Sequence, residues 1–213
     1  SGGGKSTIAK LIPRFFDVQE GAVLVGGQDV RSIPAAELME QISFVFQEVH
    51  LFKKSIRDNI RAARPNATEE EILQAAQLAQ CGDILEKIPG GLDAVIGAKG
   101  VYLSGGEMQR IALARAILKD APIVVLDEAS SFADPENAVK LQKAFEALMK
   151  GKTGLMIAHR LSTVRRMDRI LVIKKGVVVE EGKHDELIEK GGVYASMWEE
   201  YQSAAQWKVG GEA

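Results

Sequence analysis

The stretch "SGGGKST", residues 1–7, decides the fold of this 213-residue chain. Its glycines let backbone N–H groups turn toward phosphate oxygens, an approach that side chains would block. A helix predicted to begin near Lys5 adds the positive end of its dipole to the same place. Lys5 supplies a positive charge, and Ser6 supplies a hydroxyl suited to a Mg²⁺ ion. The stretch therefore predicts a loop that binds phosphate groups.

The full form of such a loop is G-x-x-x-x-G-K-[ST], and here Gly4, Lys5 and Ser6 occupy its last three positions. Its first glycine and the buried strand that normally precedes it would lie before residue 1. The chain also has no initiator methionine. We therefore expect a piece of a longer polypeptide. Taken alone, the stretch could also be a glycine-rich lead-in to a helix.

The composition describes a globular chain without a dominant charge. Hydrophobic residues make up 46%, charged residues 26%, and the net charge is −2 at pH 7. Such a balance disfavours a nucleic-acid partner, so none is expected. The single cysteine, Cys81, excludes an internal disulfide and is expected to be a buried apolar residue. No apolar run approaches the length that spans a bilayer, so this segment is not expected to cross a membrane itself.

Strands and helices alternate along most of the chain, which predicts an α/β fold with a mainly parallel sheet flanked by helices. We expect residues 1–47 to form the first part of a P-loop core and residues 120–213 to form its second part with C-terminal helices. Between them, residues 48–119 have a helical texture and predict a helical subdomain. Within that subdomain, Thr68 and Glu71 have the spacing of a helix capping box.

The stretch "IVVLDE", residues 123–128, is an apolar strand that ends in two acids. Ligands bind at the carboxyl edge of open α/β sheets, where Asp127 and Glu128 are predicted to lie. Asp127 can support a Mg²⁺ shell, and Glu128 can orient and polarise a water molecule. Two solvated acids at a strand end are the alternative interpretation.

The stretch "LSGGEMQR", residues 103–110, predicts a second phosphate-binding helix start. Ser104 and Glu107 form a capping box, which accounts for part of the pattern. The capping box leaves Gly105 and Gly106 unexplained. Glycine within a helix lowers its stability by about 1 kcal/mol relative to alanine, and by less at a terminus. Close approach of backbone N–H groups to a second anion would explain both glycines.

Together these motifs resemble the nucleotide-binding domain of ATP-binding cassette (ABC) transporters. In the order of that family, the chain carries a Walker A loop, a Q-loop, a signature, a Walker B strand, a D-loop and an H-loop. The stretches that carry the resemblance are "SGGGKST", "FVFQ" (44–47), "LSGGE" (103–107), "IVVLDE", "SFAD" (131–134) and "IAHR" (157–160). The resemblance extends from residue 1 to about residue 201.

The resemblance implies ATP and Mg²⁺ as ligands. The residues expected to hold the ATP phosphates are Ser1, Gly2, Gly3, Gly4, Lys5, Ser6 and Thr7. Ser6, Gln47 and Asp127 would serve the metal. Lys5 would also act in catalysis by contacting the outer phosphates. Gln47 could instead be only a polar residue at a strand end.

The remaining roles implied by the resemblance concern hydrolysis and a second subunit. Glu128 would be the general base, and His159 would contact the γ-phosphate. Asp134 would reach across a dimer interface and couple the two ATP sites. The residues expected to complete the ATP site of the opposite subunit are Ser104, Gly105 and Gly106. A satisfied core histidine at 159 and a simple N-cap at 134 remain the alternatives.

The sequence further resembles cassettes fused behind the membrane domain of exporters. "HLFKKSIRDNI", residues 50–60, is similar to the segment on which such membrane domains press. The implied protein is an ATPase that forms homo- or heterodimers around ATP and drives transport. The implied partners are a second cassette and a membrane domain in the same polypeptide, at the cytoplasmic side of the cell membrane.

Three other classes of protein fit the sequence less well. Coiled-coil ATPases of DNA repair need a long insertion that the spacing between Gln47 and Ser104 does not allow. A regulatory cassette is disfavoured by Glu128 and His159, and a translation factor would need a second cassette. The signature has Glu107 where exporters usually carry glutamine, and the D-loop has Phe132-Ala133 where alanine-leucine is usual.

Overall fold

The chain forms two compact units in a computed structural model. The structure describes residues 3–97, 101–127, 135–158 and 161–209. One unit comprises residues 9–156, and the other comprises residues 1–8 together with 157–213. Within the described ranges, no helix has the length and apolar character needed to cross a membrane.

Strands and helices alternate on both sides of a helical stretch, α3 to α6, as the sequence predicted. The helices are α1 (Lys5–Leu11), α2 (Ala35–Gln41), α3 (Ile56–Arg61), α4 (Glu69–Leu78), α5 (Gly82–Lys87), α6 (Gly105–Lys119), α7 (Pro135–Met149), α8 (Leu161–Val164), α9 (His184–Glu189) and α10 (Val193–Val209). The strands are β1 (Leu24–Val25), β2 (Gln28–Asp29), β3 (Ile42–Val45), β4 (Ile123–Asp127), β5 (Thr153–Ile157), β6 (Ile170–Lys174) and β7 (Val177–Gly182). Short 3-10 helices lie at Val30–Ser32 and Gly91–Asp93.

The larger unit contains a sheet of strand order β3-β4-β5. β3 and β4 run parallel, with Ile42 opposite Ile123 and Val45 opposite Leu126. The middle residues of β4 are completely buried, which fits its continuous apolar run because a central parallel strand is covered on both faces. The predicted α/β class with a parallel sheet and flanking helices is confirmed.

Helices α3 to α6 occupy the stretch in which the sequence predicted helical structure. Their apolar faces meet in one buried cluster that includes Ile60, Ile72 and Ile111. The capping box of Thr68 and Glu71 starts α4 as predicted. Cys81 is buried in the same cluster, and burial raises the pKa of its thiol to about 12. The thiol therefore stays protonated and acts as an apolar residue.

The smaller unit is built on the antiparallel hairpin of β6 and β7. Ile170 and Val172 pack with Leu187 of α9 and Tyr194 of α10. The Glu180 carboxylate of β7 accepts backbone hydrogen bonds from Val193 at 2.7 Å and Tyr194 at 2.8 Å, and these bonds lower its pKa. A charged acceptor therefore satisfies the first N–H groups of α10 and fixes the helix to the hairpin.

Candidate functional site: a phosphate loop, a sheet edge and a helix start

The turn between β6 and β7 contacts the backbone of the predicted phosphate loop. The backbone N–H of Gly176, in the hairpin turn, donates to the carbonyl of Gly3 at 3.2 Å. A Cβ at Gly3 would lie 3.3 Å from the carbonyl oxygen of Ile173, which is tighter than an ordinary contact. Gly4 has a φ of +86°, a conformation that favours glycine. Both glycines are therefore required by the backbone itself.

Helix α1 begins directly after these glycines. The amide of Ile8 donates to the carbonyl of Gly4 at 3.0 Å, which closes the first helical turn. Lys5 and Ser6 are half-buried and Thr7 is exposed. The predicted loop residues Ser1 and Gly2 lie outside the described residues. The described part thus has the glycine-to-helix geometry that suits an anion.

Asp127 ends β4 and Gln47 lies just beyond the end of β3, so both are at the same edge of the sheet. Asp127 is the last residue of β4 and is 5% exposed, whereas Gln47 is exposed. β3 ends at Val45, two residues before the predicted end at Gln47. The ring of Phe46 packs on that of Phe44, with centroids 4.4 Å apart, as the chain leaves the strand. Gln47 therefore lies in the loop beyond the edge.

The donor set at this edge fits a magnesium ion. Carboxylate and amide oxygens are ligands that Mg²⁺ accepts together with phosphate oxygens and water. Asp127 offers the first kind and Gln47 offers the second. The predicted site residues Glu128, Asp134 and His159 lie outside the described residues.

The signature begins helix α6 with the predicted capping box. The Ser104 hydroxyl accepts from the Glu107 amide at 3.2 Å, and the Glu107 carboxylate accepts from the Ser104 amide at 2.7 Å. Lys87 donates to the other Glu107 oxygen at 3.1 Å. Burial opposes ionisation of Glu107, but these hydrogen bonds lower its pKa overall. Glu107, the residue that departs from the usual exporter glutamine, thus acts as a charged cap bonded to a lysine.

A buried arginine of the signature helix was not predicted as a functional residue. Arg110 is 1% exposed and donates to the carbonyl of Gln80 and to the carboxylate of Asp83. Lys140 of α7 donates to the same carboxylate at 2.8 Å. The network fastens α6 to α5 and α7. The arginine lies within "LSGGEMQR", but no local pattern predicts its pairing with Asp83, 27 residues away.

Asp83 makes this network dependent on pH. Burial alone would raise its pKa, but hydrogen bonds from Arg110 and Lys140 lower it to about 2, below the ordinary value of 3.8. A lowered native pKa stabilises the protein above pH 3.8, and this contribution is lost as the pH falls toward 2.

We expect Asp83→Asn to lower stability at neutral pH. Because the carboxylate is partly exposed to solvent, the loss should be about 1 kcal/mol. The difference in urea midpoint between variant and wild type should shrink as the pH falls from 3.8 toward 2. A difference that stays constant across this range would contradict the charged role of Asp83.

The glycine loop before α1, the parallel sheet and the helix that starts at the signature are each features of P-loop nucleotide-binding domains that carry a signature helix. The family model described as ABC transporter matches residues 1–131. The chain belongs to the ABC transporter family.

Relatives and a solved structure agree with this assignment. The chain is 50% identical over 198 residues to the ATP-dependent lipid A-core flippase of Sodalis glossinidius (strain morsitans), covering 92% of this chain and 34% of the relative. It is 49% identical over 198 residues to the protein of the same name from Escherichia coli (strain K12), with the same coverage. A bacterial Atm1-family ABC exporter with ATP bound superposes with a TM-score of 0.87 at 39% identity, over 94% of this chain and 35% of that chain. The chain thus spans about a third of the length of these relatives.

Proposed function

We propose that this chain is the ATP-hydrolysing cassette of an exporter-type transporter. The observation that carries the proposal is the backbone of Gly3 and Gly4, which leads into α1 at Lys5 with the geometry of a phosphate loop. Gln47 and Asp127 at the sheet edge and membership of the ABC transporter family support it. Hydrolysis of ATP by this cassette then drives transport by the membrane part of the whole protein.

The roles within one ATP site follow from the chemistry of each group. The residues proposed to hold the phosphates are Ser1, Gly2, Gly3, Gly4, Lys5, Ser6 and Thr7. A bound Mg²⁺ would neutralise phosphate charge, and Ser6, Gln47 and Asp127 are the residues suited to hold it.

Two further residues are proposed to act on the reacting groups. Glu128 is proposed to take the proton of the attacking water, because a carboxylate can act as a general base and this one directly follows Asp127 in the sequence. His159 donates to the γ-phosphate oxygens and holds their orientation during transfer. Lys5 offsets the negative charge on the same oxygens.

A second cassette is proposed to complete each ATP site. Ser104, Gly105 and Gly106 begin a helix whose first N–H groups suit a phosphate group. The capping box already uses the Glu107 amide, which leaves the amides of the two glycines for a ligand. Asp134 is proposed to contact the partner cassette and to couple the two sites.

A membrane domain is the other proposed partner, in a transporter whose cassettes lie on the cytoplasmic side of the membrane. Among the described residues, the larger unit exposes several phenylalanine rings. Phe15 is 40% exposed, Phe16 61%, Phe46 44% and Phe52 54%. Exposed apolar groups of this size are typical of interaction sites. Phe52 lies in the 50–60 segment that resembles the docking region of exporters.

Hydrogen bonds with the Asn59 side chain hold the backbone of Phe52. The side chain of Asn59 is buried, accepts from the Phe52 amide at 2.8 Å and donates to the Phe52 carbonyl at 3.0 Å. Arg115 donates to the Asn59 carbonyl at 2.8 Å, and its guanidinium lies 5.3 Å from the centre of the Phe52 ring. These contacts hold the loop that presents the exposed ring. Cross-linking of Phe52→Cys to the membrane domain would measure the proposed contact.

Lys5→Ala in the full-length protein tests the proposed function. We expect ATP hydrolysis to fall by about 10²-fold or more, since a charge placed on the transferred phosphate acts mainly in the transition state. Lys10→Ala, a change of the same kind at the other end of α1, is the matched control and should retain activity. The measurement is the ATPase rate of the reconstituted protein. Equal rates for the two variants would refute the proposal.

A further inference from the structure

Helices α6 and α7 touch where the signature begins. Gly106, the second residue of α6, is buried. A Cβ at Gly106 would lie 3.1 Å from Cγ of Asn137 on α7, and 3.3 Å from its Cβ and Oδ1. Carbon atoms at their best separation are about 3.5–4.0 Å apart. Asn137 therefore crowds any side chain at Gly106, and its own side chain would have to shift to admit even a methyl group.

Asn137 also holds the next turn of α6. Arg110, four residues after Gly106, donates to Oδ1 of Asn137 at 3.2 Å. The guanidinium of Arg110 is itself fixed by Asp83. One side chain of α7 thus contacts the signature helix at two successive turns, once by close packing and once by a hydrogen bond. Asn137 therefore lies beside both the first turn of α6 and the turn that carries Arg110.

A second glycine at a helix start, Gly82, has no such neighbour. Gly82 is also at the start of a helix, α5, and a Cβ there would meet nothing within 4 Å. A position in a first helical turn therefore does not by itself explain the glycine at 106. Its lack of a side chain matches the position of Asn137.

We propose that Asn137 is a positioning residue for the signature turn, setting where the backbone of Gly106 meets the nucleotide of the partner cassette. This inference rests on the proposed function, which assigns that nucleotide to the turn. In sequence, Asn137 follows Asp134 and Glu128, which are proposed to serve the dimer interface and the subunit's own ATP. Asn137 thus links the segment that serves one ATP site to the turn that serves the other.

The test exchanges volume across the contact in the full-length protein. Gly106→Ala should lower the melting temperature. It should also raise the apparent KM for ATP by about tenfold, equivalent to about 1.4 kcal/mol of binding free energy. Asn137→Gly removes the atoms that the new methyl group meets. Gly106→Ala should therefore cost much less melting temperature and KM when introduced into Asn137→Gly than when introduced into wild type. Gln142→Gly is the matched control background, because Gln142 is exposed on the same helix. In that background Gly106→Ala should cost as much as in wild type.

A second pair of variants tests the hydrogen bond without changing Gly106. Asn137→Asp keeps the shape and the acceptor for Arg110, and its KM for ATP should stay within about twofold of wild type. Asn137→Leu has similar volume without an acceptor, and it should raise KM and reduce the cooperativity of the ATPase toward ATP. This pair remains informative if Gly106→Ala does not fold.

The outcomes separate this inference from the proposed function. The melting temperature reports the contact without ATP, whereas KM and cooperativity report its effect on the site. A smaller melting-temperature cost of Gly106→Ala in the Asn137→Gly background, without a smaller KM cost, would reduce Asn137 to a packing residue and overturn the positioning role. An Asn137→Leu protein with wild-type KM and cooperativity would do the same. Failure of the proposed function would instead appear as ATP hydrolysis that survives Lys5→Ala.

Discussion

Glu128→Gln is expected to reduce ATP hydrolysis by about 10²–10⁴-fold, the range that a positioned general base contributes. The amide keeps the size of the side chain but cannot accept a proton from water. ATP binding should persist, because the phosphate loop and Asp127 are unchanged. The dimer should therefore accumulate with ATP bound.

The measurement combines the ATPase rate with retention of labelled ATP in the full-length protein. Glu146→Gln is a suitable control, since Glu146 is an exposed carboxylate of α7 bonded only to Gln142 among the described contacts. Its activity should equal that of wild type. Wild-type hydrolysis in Glu128→Gln would remove Glu128 from the base role and require another group to take the proton.

The parts of the site that are local in sequence could be predicted from it. The capping box at Ser104 joins residues three positions apart, so its pattern is complete within one short stretch. The buried strand β4 was predictable because its apolar run is continuous. The parallel pairing of β3 and β4 followed from the alternation of strands with helices, and it brings Gln47 and Asp127 to one edge.

The parts that depend on distant contacts could not be predicted. The support of Gly3 by Gly176 joins opposite ends of the chain, and no local pattern reveals it. The role of Gly106 was assigned to a ligand alone, because Asn137 becomes its neighbour only through packing of α6 on α7. The extra helix α8, Leu161–Val164, was missed because four residues carry too little periodic signal.

The proposed completion of each ATP site by a second cassette predicts the second large effect, which depends on how two defects are distributed between the subunits. Lys5→Ala should damage the ATP site of its own subunit. Ser104→Arg places a bulky cation at the start of α6, where a helix N-terminus disfavours positive charge, and should damage the site of the opposite subunit.

With one defect in each subunit, both fall on the same site and the other site stays intact. About half of the wild-type ATPase rate and one bound ATP per dimer are then expected, on the general rule that independent effects add. With both defects in one subunit, each site carries one defect, and neither hydrolysis nor a full ATP site should remain. Linked dimers of defined composition allow both quantities to be measured. If the two arrangements bind and hydrolyse ATP alike, the signature does not act across the interface, and Ser104 would have to serve its own subunit.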